Sequence, residues 1–314
     1  MKYDLSILIP ARNEEWLLNT IEDILKNKRG ATEIIVGLDG KWNHIPIPQH
    51  PDLTIFYVPE AIGQRAITNQ CCRLSQAKYV MKCDAHCAFD EGFDVKLMAD
   101  MQDDWTVVPL MYNWHVFDWV CEDGHRRYMS PSGVCKECGK PTHKEVIWKS
   151  NRGIKTSQWR FDNNLHFQYW NDRKPEGDIV ENMSLIGACW MLTRERYWKY
   201  NFCDEEHGSW GQQGTEIACK TWLTGGRLVC NKKTWFGHMF RTQGGDFSFP
   251  YPMSGKAQEK ARRYSKDLWL NNKFNGVHPL SWLVEKFWPI PGWTDDDLIK
   301  IKKHDKQQEN KHHT

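Results

Sequence analysis

Apolar and polar positions along the first hundred residues fall into alternating short blocks. "LSILIP" (5–10) is an apolar run ended by proline and predicts a strand. "EEWLLNTIEDIL" (14–25) then sets Leu17, Leu18, Ile21, Ile24 and Leu25 on one helical stripe. "TEIIVGLDG" (32–40) predicts a strand ending in a glycine turn, and "LTIFYV" (53–58) another. Residues 63–76 carry a helical pattern, "KYVMKC" (78–83) a buried strand, 91–101 a helix and "TVVPLM" (106–111) a further strand. Such alternation predicts an α/β fold with a mostly parallel central sheet and helices on both faces. Ligands of these sheets lie beyond the carboxyl ends of the strands, where Asp39 and Asp84 fall.

The length of 314 residues suits one large domain, or a domain with a subdomain. No apolar run approaches bilayer length, and "MKYDLSILIP" lacks the features of a signal peptide. The expectation is a cytoplasmic protein without a transmembrane segment. In that compartment eleven cysteines imply free thiols and a metal rather than disulfides. A net charge of +2 points to neither nucleic acid nor membrane. Most of the seventeen tryptophans read as packing residues.

Neither G-x-G-x-x-G nor G-x-x-x-x-G-K-[ST] is present, so no glycine-rich loop cradles a phosphate. A divalent cation bridging phosphates is the other common solution. "YVMKCDAHCAF" (79–89) ends a strand with Asp84 and His86, which share one face of an extended chain. An oxygen and a nitrogen ligand suit Mn²⁺ better than Mg²⁺. Taken alone, the pair reads as a strand-end cap beside an incidental histidine.

The rest of the chain changes that reading. "SLIGACWMLTRERYWKYNFCDEEHGSWGQQGTEIACKTWLTGGRLVC" (184–230) predicts a strand, a short helix, a Trp-Gly turn, an amphipathic helix and a strand. "WFGHMFR" (235–241) follows. The order of "CDAHC", "WGQQGTE" and "GHMFR" resembles glycosyltransferase family 2 enzymes of the GT-A (nucleotide-diphospho-sugar transferase) fold. It is most similar to the catalytic domain of polypeptide N-acetylgalactosaminyltransferases. That family carries Asp-x-His, Trp-Gly-Gly-Glu-Asn-x-Glu and Gly-His-Val-Phe-Arg in this order. The "IP-x-x-NE" start (Ile9 to Glu14) and the strand "EIIV" before Asp39 are shared too, so the resemblance covers most of 4–110 and 180–252.

The resemblance implies a UDP-sugar donor and a metal, Mn²⁺ or Mg²⁺, held by Asp84, His86 and His238. It implies that Asp39 contacts the base or ribose and that Pro10, Arg12 and Glu14 face the nucleotide. Arg65 stands where a donor-contacting arginine is common, Arg241 near the diphosphate, and Trp210 with Gly211 beside the sugar or acceptor. One departure concerns the chemistry: the family has glutamate and asparagine where this chain has Gln213 and Gly214. An inverting transferase needs a base for the acceptor hydroxyl, and Gln213 cannot serve. Either the enzyme retains configuration, the leaving phosphate taking the proton, or Glu216, Asp204, Glu205 or Glu206 has assumed the role. Retention is preferred, with Gln213, Glu216 and Arg241 as the candidate catalytic positions. A catalytically inactive sugar- or nucleic-acid-binding protein on the same fold is the reading from another class.

The expected divisions are 1–111 (nucleotide-sugar half), 112–180 (insertion), 181–275 (acceptor and metal half) and 276–314 (extension). The insertion holds three cysteines and two histidines within 23 residues. Cys135-x-x-Cys138 is a zinc-knuckle spacing, and Cys121 would add a third thiolate. The fourth ligand is His125 or His143, with His125 preferred because paired knuckles face each other. A structural Zn²⁺ there would staple a long loop with little core of its own. "WRFDNN" and its neighbours suit an acceptor surface, leaving a DNA base, peptide, glycan or other polymer open as acceptor. A phage-type DNA glycosyltransferase acting on hydroxymethylated bases is one alternative; "KAQEKARRYSK" (256–266) otherwise reads as a solvated helix face. "LSWLVEKFWPIPGW" (280–293) is expected to pack back on the domain, and the polar end from Lys302 to be disordered.

Overall fold

The computed structural model describes residues 2–43, 46–241 and 255–312; the end of the stretch carrying the resemblance, 242–252, lies outside them, as do 313–314 of the tail. The chain opens with β1 (Leu5–Ala11), α1 (Leu17–Asn27), β2 (Thr32–Asp39), β3 (Leu53–Val58), α2 (Gln64–Leu74) and β4 (Tyr79–Cys83). After β5 (Cys87–Phe89) and α3 (Phe93–Ala99) comes a 17-residue strand, β6 (Trp105–Cys121). β7 (Arg126–Tyr128), β8 (Thr142–Thr156), β9 (Trp159–Phe161), β10 (Phe167–Tyr169) and β11 (Ile179–Glu181) complete the insertion region. β12 (Cys189–Thr193), α4 (Arg194–Lys199), α5 (Gln213–Leu223) and β13 (Arg227–His238) follow, then α6 (Gly255–Ser265), α7 (Leu280–Lys286) and α8 (Asp295–His312).

The strands β4, β1, β2 and β3 are parallel neighbours, as the alternating pattern requires. Beyond β4 the order continues β12, β6, β13, β11, and there the expectation of a mostly parallel sheet fails. β12 runs antiparallel to both β4 and β6, and β11 to β13, so the eleven-stranded sheet is mixed. The physical reason lies in the connections. A long hairpin, not a crossover helix, follows β6, so the chain returns in the opposite direction.

α1 begins at Leu17 rather than Glu14, with Trp16 as its N-cap. That leaves Glu14 outside the helix, on the loop above β1. α5 also departs from expectation. It is not amphipathic against solvent, for Glu216, Lys220 and Thr221 are as buried as Ile217 and Trp222. Its polar face meets other polar groups inside the protein.

The insertion is no coreless loop. β6 pairs with β7 and β8, and Trp114, Val116, Phe117 and Met129 gather with Trp16, Ala88 and Met239 into a second core. Trp16 stacks on Phe117 with centroids 5.7 Å apart, and Trp114 on Trp235 at 5.6 Å. β6 runs unbroken past position 111, pairing Tyr112 with Gly237 and Asn113 with His238. At the other end α7 packs back as expected, Phe287 meeting the edge of Trp222 at 5.6 Å. The tail corrects the expectation of disorder, being helical to His312. Thr294 and Asp297 exchange hydrogen bonds in a capping box, and Ile301 is buried.

The indole of Trp114 explains the glycine of "GHMFR". A Cβ on Gly237 would stand 2.2 Å from Trp114 Cε3. Gly237→Ala is therefore expected to lower unfolding free energy by roughly 1–3 kcal/mol, from overpacking, measured by chemical denaturation.

Candidate active site

The carboxyl ends of β1, β2 and β4 open into a cleft of about 630 Å³. Pro10 enters it from the end of β1, Arg12 and Glu14 from the loop that follows, Asp39 from the end of β2, and Asp84 and His86 from the turn after β4. Trp210 and Gln213 line it from the stretch opening α5, and His238 and Arg241 from the end of β13. His86 and His238 meet through strand pairing: Cys87 is in register with His238, and Met239 N–H donates to the His86 carbonyl at 3.3 Å.

The three expected metal ligands converge. His86 Nε2 lies 3.2 Å from His238 Nε2, and Asp84 Oδ2 lies 3.3 Å from His238 Nε2 and 3.9 Å from His86 Nε2. Burial alone would raise the Asp84 carboxyl, but Lys82 and the two histidines hold it well below the usual range. Burial pushes His238 down to about 4 against the pull of Asp84. Near neutral pH the site thus offers an ionised oxygen and a neutral imidazole, the forms that bind a cation. His86 Nδ1 faces Glu14 Oε2 at 3.4 Å, leaving Nε2 to face inward. Glu14 also accepts from Arg241 Nη2 at 2.5 Å. Burial raises that carboxyl, while His86 and Arg241 lower it more.

Lys82 was not among the expected site residues. It is fully buried on β4, ion-paired with Asp84, and donates to the Gly187 carbonyl at 2.8 Å. Its signal was legible: Lys82, Asp84 and His86 alternate in sequence through the end of β4 and the turn that follows. Phe167 and Tyr169, which line the cleft from β10, carried no such signal.

Asp39 accepts Ile62 N–H at 2.7 Å and Gly63 N–H at 3.0 Å, so it also orders the loop before α2. Two expectations are corrected. Arg65 is 1 % exposed and pairs with Glu216, which is 0 % exposed, at 2.7 Å beneath the cleft floor. Arg65 therefore does not face a donor, and Glu216 does not face an acceptor hydroxyl. Among the described residues the carboxylates lining the cleft are Glu14, Asp39 and Asp84, each already engaged. Gln213 does line it, its Oε1 buried without a hydrogen-bond partner. Gly214 has a steric cause, since a Cβ there would meet the Leu185 carbonyl oxygen at 2.1 Å.

A second cluster stands at the tip of the hairpin. Cys121 Sγ and Cys135 Sγ each lie 3.6 Å from His125 Nδ1, and Cys138 Sγ lies 3.7 Å from Cys121 Sγ. His143, the alternative fourth ligand, sits instead in the β6–β8 ladder opposite Val120 and outside this cluster. Backbone N–H groups of Glu137 and Cys138 draw the Cys135 thiol down to about 6. The eight other cysteines are buried free thiols, as their apolar surroundings predicted.

Residues 6–145 match the family profile described as Glycosyl transferase family 2. A putative polypeptide N-acetylgalactosaminyltransferase 13 of Drosophila melanogaster is 24% identical over 264 residues, covering 80% of this chain and 41% of its own length. The crystal structure of GalNAc-T7 with UDP, GalNAc and Mn²⁺ superposes with a TM-score of 0.60 at 16% identity, over 96% of this chain and 54% of that one. S. aureus TarS 1–349 in complex with UDP-GlcNAc gives 0.51 at 8% identity, over 89% and 69%. The chain thus spans about two fifths of that curated relative. Fold and strand-end site together define the GT-A class of glycosyltransferase folds, here with a mixed sheet. Within that class, residues 6–145 are similar to the glycosyl transferase family 2 domain.

Beside Glu216 lies His207, 0 % exposed, 3.8 Å from Glu216 Oε2 and 3.9 Å from Asp204 Oδ2. Burial pushes it down to about 4 from 6.5, with Arg65 and Lys220 acting the same way and the two carboxylates opposing. The unfolded chain binds this proton first, so the neutral histidine's stabilisation is complete above pH 6.5 and is lost as pH falls from 6.5 towards 4. Denaturation across that window is expected to show falling stability, and His207→Gln to flatten the slope.

Proposed function

We propose that the protein is a metal-dependent glycosyltransferase that moves a hexose or N-acetylhexosamine from a UDP-sugar to a hydroxyl acceptor with retention of configuration. The observation that carries the reading is the convergence of Asp84, His86 and His238 in the strand-end cleft. Their oxygen–nitrogen–nitrogen set fits Mn²⁺, with Mg²⁺ second. When bound, such an ion supplies neutralisation of charge on the departing nucleoside diphosphate. Around it Glu14 orients His86 and steadies Arg241 toward the diphosphate side, and Asp39 holds the loop over the nucleotide with both carboxylate oxygens. The UDP crystallised with GalNAc-T7 and the UDP-GlcNAc with TarS support a uridine nucleotide.

Retention is supported by the chemistry of the cleft wall. No uncommitted carboxylate faces the cleft among the described residues, and the position opening α5 is an amide. Phe167 and Tyr169 bring aromatic faces from the insertion to the cleft, which supports its role as the acceptor side. The free thiols support a reducing, cytoplasmic location.

Mn²⁺-dependent release of UDP from a panel of UDP-sugars tests the reading. Asp84→Asn is expected to cut it at least about 100-fold, and NMR of the glycosylated product to show the donor's anomeric configuration. No metal-dependent turnover with any common donor, unchanged by Asp84→Asn, would favour an inactive binding protein on this fold. An inverted product would sink retention alone.

We further propose that Cys121, His125, Cys135 and Cys138 hold a structural Zn²⁺. Zn–S and Zn–N bonds of usual length give tetrahedral edges of about 3.8 Å between sulfurs and about 3.5 Å between sulfur and nitrogen. The separations of 3.6 and 3.7 Å fit those edges. Metal analysis is expected to find one zinc per chain, absent from Cys138→Ser; chelator-free protein without zinc refutes the site.

A further inference from the structure

We propose that the buried Arg65–Glu216 pair is a positioning clamp that fixes the loop 208–211, and with it Trp210 and Gly211, in the wall of the cleft. The effect on substrate rests on the glycosyltransferase reading; the effect on the loop does not.

Glu216 is fully committed. Its Oε2 accepts from Arg65 Nε at 2.7 Å, and its Oε1 accepts from Lys220 Nζ and from the Asp204 backbone N–H, both at 2.8 Å. The remaining guanidinium N–H groups turn to the loop: Nη1 donates to the Gly208 carbonyl at 3.2 Å and Nη2 to the Gly211 carbonyl at 2.7 Å. One planar fork thus spans a carboxylate and two carbonyls, which a lysine's single ammonium cannot do.

The loop needs such a hold. Gly208 and Gly211 have φ of +88° and +100°, a region glycine enters without a Cβ penalty, and lacking a Cβ they lose the most conformational freedom on being held there. A second contact comes from the start of α2, where Gln64 N–H donates to the Ser209 carbonyl at 3.1 Å. A Cβ on Gly63 would lie 2.8 Å from Ser209 Cα, so the two segments touch backbone to backbone. Gly63, Gln64, Ser209, Trp210 and Gly211 all line the cleft. The charge pair therefore links α2 to α5 behind the wall while the loop it holds forms the wall's surface. Removing Glu216 leaves the Arg65 charge buried without its carboxylate, while removing Arg65 leaves Glu216 to Lys220 alone and frees the loop carbonyls.

The experiment is hydrogen exchange by mass spectrometry on the full chain, comparing Glu216→Gln, Arg65→Lys and Arg65→Met with the parent. Peptides covering 207–213 are expected to exchange at least about tenfold faster in each folded variant, with β1 and β4 peptides unchanged. Arg65→Lys, which keeps the charge, should rescue part of the effect of Arg65→Met. In turnover, donor KM should rise severalfold while kcat falls less. Unchanged exchange over 207–213 in a folded variant overturns the clamp. So does a Glu216→Gln enzyme that loses kcat about 100-fold at constant KM together with a limb of its pH profile, the signature of a general base. If Glu216→Gln does not fold, the arginine variants give the same exchange readout. Faster exchange without turnover in any form, the parent included, upholds the clamp and refutes the glycosyltransferase reading.

Discussion

The site depends on one strand pairing. β13 lies antiparallel to the three residues of β5 with His238 opposite Cys87, and that register sets the rings of His86 and His238 side by side across 152 positions of sequence. β13 is held in turn by its parallel partner β6, and β6 by the aromatic core it shares with the hairpin. A slip of one residue would turn His238 to the other face of the sheet. Trp114 resists that slip, because its indole occupies the space over Gly237 and admits no side chain there.

Charge burial is the second constraint. Lys82, Asp84, Glu14, Arg65, Glu216 and Lys220 are ionic groups in or under the cleft, and each lies against an opposite charge. Unpaired, any one of them would cost several kcal/mol of desolvation. In pairs they divide into two tasks. The Lys82–Asp84 and Arg241–Glu14 pairs stand at the cleft and keep carboxylates ionised beside two imidazoles. The Arg65–Glu216–Lys220 group lies behind it and joins α2, α5 and the loop between them. The one expected base position that reaches the cleft is an amide, Gln213, backed by a glycine for which no larger side chain has room.

The insertion joins the rest of the domain at both ends. Its cysteine and histidine cluster closes the hairpin tip, and its root supplies the second core. Between them Lys144 pairs with Glu15 at 2.6 Å, and its ammonium lies over Trp16, Phe117 and Trp119. Glu15 and Trp16 follow Glu14 directly, so the hairpin braces the loop that orients His86.

The sequence alone determined the strand–helix alternation of the first hundred residues and the strand-end placement of Asp39 and Asp84, and it named Asp84, His86 and His238, which the fold brings together. Local periodicity encodes the first two, and motif order the third. It also held the cysteine spacing of the hairpin tip and, unread, the threonine and aspartates that cap the last helix. Only the tertiary structure decided that Arg65 and Glu216 turn to each other, that His125 rather than His143 joins the cysteines, and that the sheet is mixed. A side chain's charge is written in its residue type, but its partner is set by which elements pack together, and that is a property of the whole fold.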